Sequence, residues 1–308
     1  MKSSSIITIF TFLIVLLQQI ASANAADQKH VNKLKETKHC MECDLSSENL
    51  NGAQLSGSNL AKVNLKSALL KNANLENSNL INSNLENANL AGASLSNSKL
   101  QGSNLISVNL NNSTIRFANL SQTKLMGAEF LFSNASDTNF SYSNLSSSDF
   151  SNATLQNSNF KNAILDNVNF SKADMRRINL FGASIKDGTL VDANLSNAFM
   201  KAVNLSGADL TGSNLSKAKL STANFEGANL TNANLNKANL ARNIIRVNLK
   251  GANLTGASFV GANLKGANLT NANLTDADFT GANLKKAKLD QVIYCRTIMP
   301  WGEQSDGC

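Results

Sequence analysis

The sequence predicts an all-β solenoid, a fold in which one short structural unit is repeated along the chain. Three observations predict it. An apolar residue, usually Leu, recurs at every fifth position from Leu45 to Leu240, a small residue typically lies two positions before it, and Gly or Asn often lies two positions after it. A period of five fits neither the 3.6-residue helix nor the two-residue alternation of a flat strand. The chain must therefore turn once in every repeat.

Glycine marks the place of the turn, two positions after the central Leu. The third residue of a type II turn needs a positive φ, which Gly and Asn adopt most cheaply. Each repeat is therefore interpreted as a short bridge closed by such a turn. The glycines in this position are Gly52, Gly57, Gly92, Gly102, Gly207, Gly212, Gly251, Gly261 and Gly266.

This repeat resembles that of the pentapeptide-repeat proteins, whose unit is Ala-Asp/Asn-Leu-x-x. The match runs almost without a break over residues 43–294. The resemblance implies a right-handed quadrilateral β-helix with four repeats in each coil, in which the Leu and the small residue point inward. About twelve coils at a strand spacing of ~4.8 Å would give a rod roughly 60 Å long. Stacked coils share a column of Leu side chains that no coil could bury alone.

Five central positions carry Phe instead of Leu: Phe130, Phe140, Phe150, Phe160 and Phe170. At the four repeats per coil that the resemblance implies, the first, third and fifth should stack on one side and the other two on the opposite side. Ala135 takes a central position among them, and neighbouring rings are expected to fill the volume it leaves, because protein interiors tolerate few voids. We interpret the group as core packing without a binding function.

The period slips by one residue between Leu240 and Leu249, where Ile244 and Ile245 break the spacing and Asn243 takes a nominally inward place. A coil that lacks one residue must distort a corner. We interpret the slip as a tolerated defect in one continuous rod; a functional hinge is the alternative.

The first 25 residues have the features of a secretory signal peptide. Lys2 supplies a positive charge, residues 6–17 are apolar, and Ala21-Ser-Ala23 and Ala23-Asn-Ala25 are overlapping small-x-small cleavage sites. The apolar stretch is shorter than the ~20 residues of an ordinary spanning helix. We expect export through a Sec-type signal to a periplasm, an equivalent lumen or the exterior. An uncleaved anchor is the alternative.

The chain is therefore divided into a signal peptide (residues 1–25), an N-terminal cap (26–42), the solenoid (43–294) and a C-terminal cap (295–308). In the N-terminal cap, Asp27 is a plausible helix N-cap, and Val31 and Leu34 have a helical apolar spacing. In the C-terminal cap, Pro300-Trp301-Gly302 is a turn signal. We expect a short helix to cover the first coil and a doubled-back segment to close the last.

The four cysteines form two groups, Cys40 with Cys43 and Cys295 with Cys308. Disulfides persist in exported proteins, so each group is a candidate disulfide. Cys40 and Cys43 have the Cys-x-x-Cys spacing, with His39 adjacent and His30 nearby. A structural disulfide is favoured there, while a metal site and a redox-active pair remain alternatives.

Composition disfavours an enzyme. The sequence has two His, two Tyr, one Trp and 6% aromatic residues, and it contains no Ser/His/Asp arrangement. No catalytic residue, cofactor or metal ion is predicted. The net charge of +7 is small for 308 residues, and no Lys/Arg run exceeds two residues, so nucleic acid is not the expected partner.

One side of the predicted rod combines basic residues with exposed rings and lacks acidic residues. Such a side suits an anionic or carbohydrate-like ligand, although a merely solvated face is the alternative. It is the side centred on Leu60, Leu80 and so on to Leu240. Its candidate residues are Lys62, Lys99, Tyr142, Lys161, Phe181, Phe199, Lys201, Lys219 and Arg242.

The function predicted from the sequence is an exported, non-catalytic structural or protein-interaction scaffold with an unidentified protein partner. The resemblance also suggests DNA mimicry, in which acidic pentapeptide-repeat rods bind topoisomerases. The mildly basic composition and the signal peptide oppose that alternative. A third alternative is a redox or metal-binding protein that uses Cys40 and Cys43. The sequence does not indicate the oligomeric state.

Overall fold

The computed structural model describes residues 28–241 and 247–308. In these ranges the chain forms one β-helix, preceded by helix α1 (Gln28–Thr37) and followed by a hairpin of strands β1 (Thr297–Met299) and β2 (Gly302–Gln304). The predicted signal peptide, the predicted N-cap residue Asp27 and the slip residues 242–246, which include the candidate site residue Arg242, lie outside the described residues.

Each repeat contributes one bridge residue, and the bridges give the number of repeats in a coil. Asn59 pairs in parallel with Asn79, twenty residues on, and Asn79 pairs with Lys99. The amide of Leu60 donates to the carbonyl of Asn79 at 2.7 Å, and the amide of Asn79 donates to Ser58 at 2.9 Å. Twenty residues make four repeats, so each coil has four sides, and neighbouring coils satisfy one another's backbone groups.

The turns lie where the sequence places them. In the repeat of Leu70, the amide of Ala73 donates to the carbonyl of Leu70 at 3.0 Å and closes the turn. Asn72, the third residue of this turn, has a φ of 57°. Larger side chains take the same conformation at other corners, including Phe117 at 59° and Tyr142 at 60°. The corners therefore carry outward side chains as well as glycines.

The core is the column of central residues and small residues inside the coils. Phe130 stacks on Phe150 with ring centroids 4.2 Å apart, and Phe150 stacks on Phe170 at 5.3 Å. Phe140 stacks on Phe160 at 4.6 Å on the opposite side. The two stacks meet edge to face, with centroids about 6 Å apart. The predicted arrangement of the five rings is confirmed.

The bridges continue across the one-residue slip. Asn229 pairs with Asn248, nineteen residues on, and Asn239 pairs with Ser258, also nineteen residues on. The spacing of twenty returns at Asn248, which pairs with Asn268. The described coils on both sides of residues 242–246 therefore belong to one ladder of parallel bridges, as the interpretation of a defect in a continuous rod requires.

Different elements lie at the two ends of the rod. At the N-terminal end, α1 buries Val31 and Leu34 against the core. At the C-terminal end, β1 joins the last coil through a bridge between Asp278 and Ile298, and it pairs antiparallel with β2. Among the described residues, no helix has the length and apolar character needed to cross a membrane.

Candidate binding surface

The four sides of the rod differ in their outward residues. The basic side is defined here as the outward residues of the repeats centred on Leu60, Leu80 and their equivalents up to Leu240. The acidic side lies opposite and is centred on Leu70, Leu90 and their equivalents up to Leu230. In each repeat the outward residues are those before the central residue and the two that follow it.

Asparagine ladders occupy much of the basic side. The side-chain amide of Asn159 donates to Oδ1 of Asn139 at 3.2 Å, and that of Asn179 donates to Asn159 at 3.0 Å. Each Oδ1 also accepts from the backbone amide two residues on, as Asn159 does from Lys161 at 3.1 Å. Because these groups already bond within the rod, the ladders strengthen the turns. The side chains that distinguish this side lie where other residues interrupt the asparagine ladders.

The first two predicted basic residues lie apart from the others. The ammonium of Lys62 donates to Glu42 at 2.8 Å, and this hydrogen bond lowers the pKa of the Glu42 carboxyl. Glu42 lies one coil earlier, so the charge of Lys62 is locally balanced, contrary to the expectation that Lys62 forms part of a uniformly basic surface. Lys99 lies three coils from Lys161, and Tyr142 lies at an intervening corner with 55% of its surface exposed.

Four of the predicted residues come together in a ladder along the rod axis. Phe181 and Phe199 stack with centroids 6.0 Å apart and 13° between their planes. The ammonium of Lys161 lies over the Phe181 ring, 5.9 Å from its centroid, and that of Lys219 lies over the Phe199 ring at 6.0 Å. The order is cation, ring, ring, cation, so each ammonium is held by a cation–π contact. Lys201 shares the coil of Phe199.

Sequence reasoning missed the basic residues on the adjoining corner. Lys217 lies two residues before Lys219, and Lys237 takes the same corner one coil further on. Arg177 also lies at this corner, and its guanidinium donates to Asn157 at 2.8 Å. Grouping residues by repeat assigns this corner to the previous side, although it borders the basic side. The sequence signal that could have identified this corner is Lys217, two positions before Lys219.

The acidic side has a different pattern. Glu129 and Asp149 lie one coil apart as bridge partners, and the side chain of Asn111 donates to Glu129 at 2.8 Å. Asp209 accepts from the hydroxyl of Thr211 at 2.6 Å. Lys71 and Lys172 are basic residues on the same side, so its charge is mixed. The acidic side therefore carries both signs of charge, whereas the basic side up to Leu240 contains no Asp or Glu.

The four cysteines form two disulfides, Cys40–Cys43 and Cys295–Cys308. With the sulfurs bonded in pairs, neither Cys40 nor Cys43 offers a thiolate to a metal ion. Nδ1 of His30 accepts a hydrogen bond from the backbone amide of Asp44 at 3.1 Å, which ties α1 to the first coil. Within residues 28–241 and 247–308, no three His, Cys, Asp or Glu side chains are grouped to hold a metal ion.

Several solved structures are similar to this chain. HetL, a pentapeptide repeat protein involved in heterocyst differentiation regulation from Nostoc sp. strain PCC 7120, is 29% identical over 63% of this chain and 90% of its own, with a TM-score of 0.31. The plasmid-mediated fluoroquinolone resistance protein QnrB1 is 21% identical over 60% and 88%, with a TM-score of 0.40. A pentapeptide repeat protein from the thylakoid lumen of Arabidopsis thaliana is 32% identical over 38% and 65%, with a TM-score of 0.17.

The comparison with protein families covers most of the chain. No curated protein is significantly similar in sequence. The model of the pentapeptide repeats matches residues 39–77, 68–105, 103–141, 143–182, 190–227, 223–270 and 257–293. These ranges include nearly all the coils, and the five-residue period and four-sided coil agree with them. The chain therefore belongs to the pentapeptide repeat family, whose members form right-handed quadrilateral β-helices.

Proposed function

We propose that the protein is an exported, non-catalytic scaffold that binds a protein partner along its basic side. The observation that carries this proposal is the ladder of Lys161, Phe181, Phe199 and Lys219 on one side of a regular rod. A rod whose coils contact only their neighbours offers an extended surface with fixed spacing. Binding along a side uses that surface directly.

The non-catalytic part of the proposal rests on the partners of the reactive groups. His30 lies in α1 with its Nδ1 bonded to a backbone amide, and His39 forms the first bridge of the ladder with Asn59. Several inward hydroxyls of the rod bond to its own backbone; Ser103, for example, donates to the carbonyl of Leu80 at 2.7 Å. Acyl-transfer chemistry needs a nucleophile within reach of a base. Hydroxyls bonded in this way have structural roles instead.

Export is proposed from residues 1–25 together with the disulfides. The positive charge, apolar stretch and small-x-small sites are typical of a secretory signal. Disulfides are rare in reducing compartments and common in a periplasm or comparable lumen. A rod braced near both ends by disulfides suits such a compartment.

We further propose that α1 and the C-terminal hairpin act as caps. An uncovered terminal coil would expose unpaired backbone groups and its apolar interior, which invites association with other chains. Val31 and Leu34 are 1% and 2% exposed, so α1 shields the first coil. At the other end, the amide of Gly307 donates to the carbonyl of Tyr294 at 2.6 Å and holds the tail over the last coil.

Site-specific photo-crosslinking in the native compartment tests the scaffold proposal. A photoreactive amino acid is placed at Thr222, on a corner of the basic side, and in a second variant at Asn232, the diagonally opposite corner of the same coil. The two positions are matched: both are exposed, with φ values of 61° and 58°. Two further variants place the probe at Gly227 and Lys237, the remaining corners.

The proposal predicts one discrete protein adduct from position 222 and none from position 232. Adducts from position 232 alone would support a scaffold role but would refute the proposal that the partner binds the basic side. No protein adduct from any of the four corners would contradict the scaffold proposal itself.

A further inference from the structure

We propose that the basic strip, defined as Lys161, Phe181, Phe199, Lys201, Lys217 and Lys219, docks an acidic segment of a partner protein that also carries apolar side chains. The inference rests on the proposed scaffold function and names the chemistry of its partner. Three properties of the strip support it: its charge, the orientation of its rings and its exposed apolar surface.

The charge of the strip is not balanced by neighbours on its own side. Between Asn157 and Ala241, the basic side and its preceding corner contain no Asp or Glu. None of the ion pairs among the described residues includes a lysine of the strip. Lys62, by contrast, has Glu42 within 2.8 Å. The lysines of the strip therefore favour carboxylates from another molecule.

The orientation of the rings argues against a sugar or a nucleic-acid base as the ligand. Such ligands stack on a free aromatic face. One face of Phe181 is turned to Phe199 and the other to the Lys161 ammonium; Phe199 lies between Phe181 and Lys219 in the same way. The ring edges remain available, and they carry the positive part of the aromatic quadrupole. Edges and ammonium groups thus favour the same anionic partner.

The apolar surface of the strip explains why a purely acidic chain is not the best fit. Phe199 is 38% exposed, and Phe181 is partly exposed, at outward positions that most other coils of this side fill with polar residues. Burying this surface against apolar side chains is favourable, and aromatic residues are enriched in protein interfaces. A segment that alternates acidic and apolar residues would satisfy both requirements.

Binding of synthetic peptides to the full-length protein tests this inference. The probe is a fluorescently labelled (Glu-Leu)₄ peptide, and the comparison peptides are (Glu-Ser)₄ and (Lys-Leu)₄. Polygalacturonate and single-stranded oligo(dT) test the two other classes of polyanion. Three double variants are compared: Lys161→Glu with Lys219→Glu, Phe181→Ser with Phe199→Ser, and Lys71→Glu with Lys172→Glu. The last pair makes the same charge change on the acidic side.

The inference predicts that (Glu-Leu)₄ binds more tightly than the four other probes. Its affinity should fall by about tenfold or more in the Lys161/Lys219 and Phe181/Phe199 variants and change less than about twofold in the Lys71/Lys172 variant. Thermal melts establish that each variant is folded. If the Phe181/Phe199 variant does not fold, the comparison of the two lysine double variants still tests the inference.

Equal affinity of the two lysine double variants for (Glu-Leu)₄ would overturn the inference. The same holds if the wild type binds (Glu-Ser)₄ as tightly as (Glu-Leu)₄, binds polygalacturonate or oligo(dT) more tightly, or does not bind (Glu-Leu)₄ at all. Such a failure is distinct from failure of the scaffold proposal. A protein adduct in the crosslinking experiment would then show that a partner exists with a different surface chemistry.

Discussion

Phe150 lies one coil above Phe130 with the two rings stacked, their centroids 4.2 Å apart and their planes 8° from parallel. Phe150 also contacts Phe170 on the same side, and Phe140 and Phe160 edge to face. All five rings are fully buried. The middle of the rod therefore contains a cluster of aromatic rings, in which each ring packs against rings of the neighbouring coils.

Replacing Phe150 should destabilise the rod in proportion to the volume removed. Phe150→Ala is expected to cost about 3–5 kcal/mol of unfolding free energy because the stacked rings leave a cavity that cannot collapse. Phe150→Leu should cost roughly 1–2 kcal/mol, since Leu is the usual central residue. Phe225→Leu is the control, because Phe225 is buried and contacts no other aromatic ring among the described residues. Urea unfolding should show a smaller loss of unfolding free energy for Phe225→Leu than for either Phe150 variant. Equal losses for Phe225→Leu and Phe150→Leu would contradict the stabilising role of the ring cluster.

Two buried serines should respond to alanine with opposite signs. The buried hydroxyl of Ser213 has no hydrogen-bond partner among the described residues. Ser143, by contrast, donates to the carbonyl of Leu120 at 2.6 Å and accepts from the amide of Thr123 at 3.0 Å. Ser213→Ala should stabilise the protein by about 1 kcal/mol, and Ser143→Ala should destabilise it by roughly 1–3 kcal/mol. Thermal and urea unfolding give both values. A stability loss at both positions would show that Ser213 has a partner.

The two disulfides should differ in their accessibility to reductant. Cys40 and Cys43 are 0% and 2% exposed, and Cys295 is 9% exposed, while Cys308 lies exposed at the end of the tail. Mild reduction followed by alkylation and mass spectrometry should label Cys295 and Cys308 first. Replacing that pair with Ser should cost about 3 kcal/mol in the chain-entropy model. Preferential labelling of Cys40 and Cys43 would contradict the prediction that the Cys295–Cys308 disulfide is the more accessible one.

The ion pair between Arg296 and Asp276 should make the last coil sensitive to acid. The Arg296 guanidinium donates to both carboxylate oxygens of Asp276, at 2.6 and 2.9 Å. This hydrogen bonding, with the nearby positive charge, lowers the pKa of Asp276 below its usual value of 3.8. A carboxyl with a depressed pKa stabilises the fold above the unfolded-state pKa, and the stabilisation is lost as pH falls through the folded-state value.

Asp276→Asn should therefore lower the Tm at pH 7 and make little difference at a pH below the folded-state pKa. Asp290→Asn is the control, because Asp290 lies in the same region and forms no ion pair with another described residue. Thermal melts of the wild type and both variants across this range give the comparison. A Tm difference between wild type and Asp276→Asn that is equal at both pH values would refute the role of this charge pair.

The sequence predicts the interior of the rod better than its surface. With twenty residues per coil, the five-residue period places every inward residue, which is why the stacking of Phe130 on Phe150 could be anticipated. Contacts at the corners depend on side-chain direction, which the period does not specify. The Lys62–Glu42 pair and the cation–π contacts of Lys161 and Lys219 emerge only from the structure.

The most direct test of an exported, disulfide-braced scaffold is cell fractionation followed by intact-mass analysis of the native protein with and without reductant. We predict a product in the periplasm or lumen that begins after Ala23 or Ala25 and is lighter than its reduced form by four hydrogen atoms, two for each disulfide. A full-length, fully reduced chain in the cytosol would contradict export and favour an intracellular target such as a topoisomerase.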